Sequence, residues 1–208
     1  MDLQPNIIKT DSYDISLQHL FQTPLFEIQL DDIDNEELSK SIYKLKENDE
    51  GENKSNYGGW HSKTKSSQTG LDEFEDFFQH ISYKVLPNLP FNPEIKDILQ
   101  ISAWSNINNK GNYNILHNHI GNHLDLSGVY YVKVPQSGDA GCISFRDPRP
   151  AVYGNNFVFS RFYNQNAFRD RYPMEGLLYL FPTFLEHCVM PNMTEEDRIS
   201  ISFNLTLN

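Results

Sequence analysis

The chain has 208 residues, 38% of them hydrophobic and 13% aromatic, which is enough for a sizeable core and too apolar for global disorder. A formal net charge of −11 argues against the basic face that binds duplex nucleic acid, although a few local arginines could still hold a small anion. Two cysteines, Cys142 and Cys188, are too few for a disulfide framework or a structural zinc site, so a reducing cytoplasm is the expected setting. The opening stretch "MDLQPNIIKTDSYDISLQ" lacks a cationic head followed by an apolar core, so no signal peptide is expected. No apolar run approaches the ~20 residues that span a bilayer.

In "DIDNEELSKSIYKLKEN", Leu38, Ile42 and Leu45 recur at i, i+4, i+7, and Asp34 with Glu37 resembles a capping box, which predicts a helix. The polar stretch from Lys46 to Gly70 reads as a loop ordered by its contacts, with "GGW" at 58–60 its only marked feature. A second helix is predicted in "LDEFEDFFQHISYKVL", with Phe74, Phe77, Phe78, Ile81 and Val85 on one face. The prolines of "PNLPFNP" end it, and His80 on this helix reads as a structural or surface residue. From about Asp97 the period changes to alternation. Strands are predicted at 98–106, 113–119, 127–134, 141–146, 156–163, 176–181, 185–190 and 197–207. Such a series, without intervening helices, indicates a sandwich, jelly roll or barrel. The chain therefore divides into helical support and loop over about 1–96 and a β core over about 97–208, all within one domain.

The last strand, "RISISFNL", carries Arg198, Ser200, Ser202 and Asn204 on one face and Ile199, Ile201, Phe203 and Leu205 on the other. The apolar face packs most simply against the N-terminal helices. The polar face then points either to solvent or into the sandwich, where a ligand or water must satisfy it.

Three of the seven histidines and one aspartate fall between 117 and 125, in "HNHIGNHLD". On a strand ending near 119, His117 and His119 project to one side and can share a metal ion. His187, in "FPTFLEHCVMP", is the candidate third ligand, and Arg198 and Ser200 follow it by eleven and thirteen residues.

This order, a histidine pair, a long gap, a histidine and then "RIS", resembles the 2-oxoglutarate/Fe(II)-dependent dioxygenases. A branch of 2OG-Fe(II) oxygenases common in marine bacteria and their phages is more similar still. The words shared with it are Gly58-Gly59-Trp60, Trp104, Asn106, Gly111-Asn112-Tyr113, His117-Asn118-His119, Ser127 to Val132, "FPTFLEH" and "RISISFN". They span about residues 22 to 208. The resemblance implies a double-stranded β-helix with N-terminal helices, mainly β in content. It implies Fe(II) and 2-oxoglutarate as cofactors, hydroxylation as the commonest outcome, and release of succinate and CO2. Iron would be held by His117, His119 and His187, with Arg198 gripping the far carboxylate of 2-oxoglutarate and Ser200 adding a hydroxyl.

One departure stands out. The superfamily's usual H-x-D is absent at 117–119, where His119 replaces the carboxylate, yet an H-x-D does occur at His123-Leu124-Asp125. Position in the fold favours His117 and His119, whereas ligand type favours His123 and Asp125. Asp125 could also reach the ion beside His117.

Other readings are less specific. Tyr131 points into the barrel if Val129 and Lys133 share its face, and in some relatives a tyrosine there helps hold 2-oxoglutarate. Asn106 and Asn112 could donate to the cosubstrate or fix His117. Trp60 and Trp104 read as core, and Cys188 should face away from His187. The arginine- and aromatic-rich segment 146–173 reads either as part of a substrate lid or as a hairpin with surface ion pairs. Two rivals stand beside the oxygenase. One is a cupin-type metalloenzyme without 2-oxoglutarate, although the glutamate it would need is absent between 120 and 135. The other is a non-enzymatic β-sandwich binding module. The expected substrate is a small molecule or a protein side chain, with no duplex nucleic acid and no membrane partner, and a homo-oligomer is left open.

Overall fold

A computed structural model describes residues 6–9, 14–17, 21–67, 74–90, 98–121, 124–149 and 167–207. Strands β1 (Asn6–Lys9) and β2 (Asp14–Leu17) pair as an antiparallel hairpin, and β3 (Phe26–Gln29) follows. Helix α1 (Asn35–Asn48) starts where expected, because Asp34 Oδ1 accepts the Glu37 N–H at 2.9 Å. The stretch 46–70 is more ordered than its composition suggests. It contains three short strands, β4 (Asn56–Tyr57), β5 (Trp60–His61) and β6 (Lys65–Ser67), each paired with a longer strand of the β core. Helix α2 (Glu75–His80) runs into a π-helical turn over Ile81–Val85 and a 3-10 turn over Leu86–Asn88. Pro87 sits in that last turn, where its missing N–H costs nothing. His80 Nε2 lies 3.3 Å from Asp32 Oδ1, a tie that fits its structural reading.

The β core comprises β7 (Ile98–Asn108), β8 (Tyr113–His117), β9 (Leu126–Lys133), β10 (Ile143–Arg146), β11 (Phe168–Arg171), β12 (Leu177–Pro182), β13 (His187–Val189) and β14 (Arg198–Leu207). The major sheet has the order β3-β12-β9-β14-β7-β5, with β6 also on β7, and the minor sheet the order β11-β10-β13-β8-β4. All pairings are antiparallel, so the expected double-stranded β-helix with N-terminal helices is what the chain forms. The predicted strand 156–163 lies outside the described residues. So does most of the predicted lid. Its C-terminal end is instead the edge strand β11, in register with β10.

Alternation on the major sheet separates two cores. On the outer face Ile199, Ile201, Phe203 and Leu205 join Phe77, Phe78 and Ile81, with Phe203 edge-on to Phe78 at 5.4 Å between ring centroids. The expected packing of the apolar face on the helices holds. The inner face turns Arg198, Ser200 and Ser202 into a cavity between the sheets, beside a second cluster that includes Val129, Tyr131, Phe145 and Phe181. No helix among the described residues is long and apolar enough to cross a membrane.

Candidate metal centre

β8 and β13 lie side by side in the minor sheet with His117 opposite His187 in register. Strand alternation accounts for this pair, but not for His119. β8 ends at His117, two residues earlier than alternation predicts. The chain bends there and His119 N donates to Thr183 O at 2.9 Å, so the loop after β12 fixes its backbone. Thr183 Oγ1 also donates to Leu124 O at 3.0 Å, which ties down the other end of the histidine loop. The potential ligand atoms of His117, His119 and His187 lie within 4.8 Å of one another. Asp125 is not among them. Its carboxylate accepts the Leu207 N–H at 2.8 Å. His123 lies outside the described residues.

The three imidazoles suit a cation. Burial, and secondarily the neighbouring His117, holds His187 down to about 3 and His119 down to about 4, and burial lowers His117 as well. All three are therefore neutral near pH 7, the form that binds metal. A ring nitrogen of His117 and one of His187, Nδ1 in both, lie 2.7 and 2.9 Å from the carbonyls of Ile115 and Leu185. A carbonyl can only accept, so each Nδ1 carries the proton and each Nε2 keeps its lone pair. Phe181 stands edge-on to His187 at 4.9 Å between centroids and keeps that side dry.

Arg198 lies in the same cavity, at the opposite end of the inner face of β14. Ser202, paired with Trp104, is four residues along the strand from Arg198, about 13 Å away at the usual rise per residue. Arg198 is 2% exposed, and its Nη1 donates to Ala140 O at 2.6 Å and Gly141 O at 3.0 Å. Gly141 has φ +76°, and a β-carbon there would lie 2.8 Å from that Nη1, so glycine lets the backbone come this close. No described carboxylate forms an ion pair with Arg198. Its remaining donors, the Ser200 hydroxyl and the Tyr131 hydroxyl bond to no described residue. An uncompensated buried cation is costly, so the cavity is built for an anion.

The other expected residues divide. Asn106 lines the cavity and donates to Ser202 Oγ at 3.1 Å. Asn112 does not line it. With its amide oxygen turned inward it accepts from Gly59 N at 2.9 Å and Asn109 N at 3.0 Å, and so anchors the "GGW" turn. Trp60 is structural, donating to Asp49 O at 2.9 Å. Trp104 corrects the core reading, since it lines the cavity and stacks on His119. The Cys188 thiol lies 3.9 Å from Ser144 O, away from the histidines. Sequence reasoning overlooked His61 and Thr183. Only their place beside "GGW" and inside "FPTFLEH" could have drawn notice to them.

The family model described as "Putative 2OG-Fe(II) oxygenase" matches residues 102–204, the stretch that carries the three histidines, Tyr131, Arg198 and Ser200. The chain belongs to the 2OG-Fe(II) oxygenases. Among curated proteins none matches the sequence. Solved structures share the fold of this oxygenase at low identity. A prolyl-4-hydroxylase from Pseudomonas putida is 12% identical with a TM-score of 0.59, over 91% of this chain and 95% of that one. SnoK, a non-heme α-ketoglutarate-dependent carbocyclase from nogalamycin biosynthesis, is 10% identical at a TM-score of 0.57, covering 89% and 80%. HygX from Streptomyces hygroscopicus, solved with nickel and 2-oxoglutarate bound, is 15% identical at 0.51, covering 88% and 83%. Fe(II) and 2-oxoglutarate, the cofactors of the family, fit this oxygenase's own residues: three neutral nitrogen donors share a cavity with a guanidinium that has no ion-pair partner among the described residues.

Proposed function

We propose that the protein is a dioxygenase that hydroxylates a small molecule or a protein side chain, releasing succinate and CO2, with His117, His119 and His187 as the iron ligands. The observation that carries this reading is the pairing, in one cavity, of three neutral imidazoles with a buried guanidinium that has no anionic partner among the described residues. Fe(II) with 2-oxoglutarate supplies the oxidising chemistry when bound, one oxygen atom of O2 going to the substrate and the other to succinate.

The chain's own residues do the positioning. His117 and His187 present Nε2 lone pairs because the carbonyls of Ile115 and Leu185 hold the opposite ring nitrogens. Arg198 grips the far carboxylate of the cosubstrate with its free donors, and Ser200 and Tyr131 add hydroxyls beside it. Asn106, tied to Ser202, lines the channel between the two ends. The walls formed by Val129, Ile143 and Phe181 exclude water, which strengthens every polar contact to the ligand. The chain, residues 1–208, acts as one domain in which α1, α2 and the short strands β3, β5 and β6 buttress the major sheet.

Anaerobic titration with Fe(II) and 2-oxoglutarate tests this reading through the weak visible charge-transfer band of a bidentate complex. The band is expected in wild type, absent in His187→Ala and weakened in Arg198→Ala. A wild-type protein that retains no metal and shows no band would return the chain to the binding-module reading.

A further inference from the structure

The three histidines are not held alike. His117 and His187 are each fixed by a hydrogen bond from Nδ1 to a backbone carbonyl. Neither ring nitrogen of His119 bonds to any described residue. Its backbone is tied to Thr183, but nothing polar among the described residues sets the rotation of its ring. What touches that ring is a column of aromatic faces. Trp104 stacks on His119 at 5.6 Å and 15°, and His61 stacks on Trp104 at 5.6 Å and 11°. His187 also lies parallel to His119, at 5.2 Å and 4°. All three contacts are in the range of offset stacking.

The far end of the column is rigid. His61 is 4% exposed, with Nδ1 2.7 Å from Ser62 O, and it lies on β5 opposite Asn106 of β7. The Ser62 and Ser105 backbones are joined at 2.9 Å, so the column's base is part of the major sheet. Trp104 is on β7 itself and therefore cannot follow the loop that carries His119.

We infer that Trp104, backed by His61, is a positioning residue that sets the ring orientation of His119 for metal binding. It takes the part that a backbone carbonyl plays for the other two imidazoles. A flat face is suited to this because it restricts tilt while leaving both ring nitrogens free. This inference rests on the metal-site reading above. Loss of a group that orients a metal ligand typically costs 10–100-fold in metal affinity, which sets the size of the effect.

Anaerobic Co(II) titration of the full chain is the test, comparing wild type, His119→Ala, Trp104→Leu, Trp104→Phe and the double variant Trp104→Leu/His119→Ala. Trp104→Leu is expected to weaken Co(II) binding about 10-fold, with Trp104→Phe recovering most of the loss. In the His119→Ala background the same Trp104→Leu change should have no further effect, because the ring it orients is gone. General damage to the fold would instead weaken binding equally in both backgrounds and would overturn the inference. A second readout needs no substitution at Trp104. In wild-type protein with labelled histidine, the ring protons of His119 should be shifted upfield by the indole face, and normal shifts would overturn the inference. Failure of the metal-site reading looks different: wild type would not bind Co(II), or His119→Ala would bind it unchanged.

Discussion

Replacing Arg198 by methionine separates the cost of a buried charge from its use. On the function proposed above, 2-oxoglutarate would give the guanidinium of the metal-loaded protein the anionic partner that no described residue supplies. Truncating one member of a buried, hydrogen-bonded charge pair costs about 2–5 kcal/mol. At about 1.4 kcal/mol per tenfold, the middle of that range weakens 2-oxoglutarate binding by a few hundred-fold. A concentration set at ~100 times the wild-type dissociation constant stabilises wild type by about 2.7 kcal/mol. For a chain of this size that is a rise in Tm of roughly 5–11 °C. The variant at the same concentration should gain less than about 0.4 kcal/mol, a rise of under ~2 °C. Without ligand the two terms oppose each other. Methionine leaves the Ala140 and Gly141 carbonyls short of a donor but removes an uncompensated cation, so the ligand-free Tm should change little. The assay is anaerobic thermal unfolding of the Mn(II)-loaded protein with and without 2-oxoglutarate. A variant that keeps the full ligand-induced rise would refute the role of Arg198. So would one whose ligand-free form is destabilised as much as by the loss of a core residue.

The remaining predictions concern stability. His187 and His119 titrate at about 3 and 4 in the folded protein, and burial lowers His61 too, against the ordinary value of 6.5. Below pH 6.5 the unfolded chain therefore takes up protons that the folded chain refuses, so stability is full above 6.5 and falls as the pH drops toward 4. The urea midpoint of the metal-free protein should decline from pH 7.5 to 5.5, and a flat profile would count against neutral buried imidazoles. Phe203→Ala, which empties the contact with Phe77 and Phe78, should cost about 3–5 kcal/mol in denaturant unfolding. A cost under ~1 kcal/mol would mean the helices do not seal the major sheet there. The Ser105 hydroxyl is fully buried and has no hydrogen-bond partner among the described residues. Ser105→Ala should therefore be neutral or stabilising by up to about 1 kcal/mol, and a loss larger than that would reveal a partner.

The alternation of "RISISFNL" was enough to separate the side chains that meet the helices from those on the other face, because a strand's period of two is local, but that the polar face turns into a cavity and not to solvent came only from the structure. The same rule reached His117, whose strand pairs it with His187, and Arg198 and Ser200 on the closing strand. The cap at Asp34 was equally local. Local rules failed where a distant backbone set the geometry. β8 stops before His119, and its place in the cluster depends on the carbonyl of Thr183, 64 positions later in the chain. Asp125 has the right chemistry for a metal ligand, yet Leu207 holds its carboxylate. Asn112 sits on the turn before the metal strand, but the Gly59 amide takes its oxygen. Trp104 read as core because a tryptophan's composition says nothing about what lies across its face. Periodicity, ligand chemistry and the resemblance to a known family thus pointed to the class of site expected in this chain. Which of several suitable side chains reach it was decided by hydrogen bonds between segments far apart in sequence, and only the folded structure reveals those.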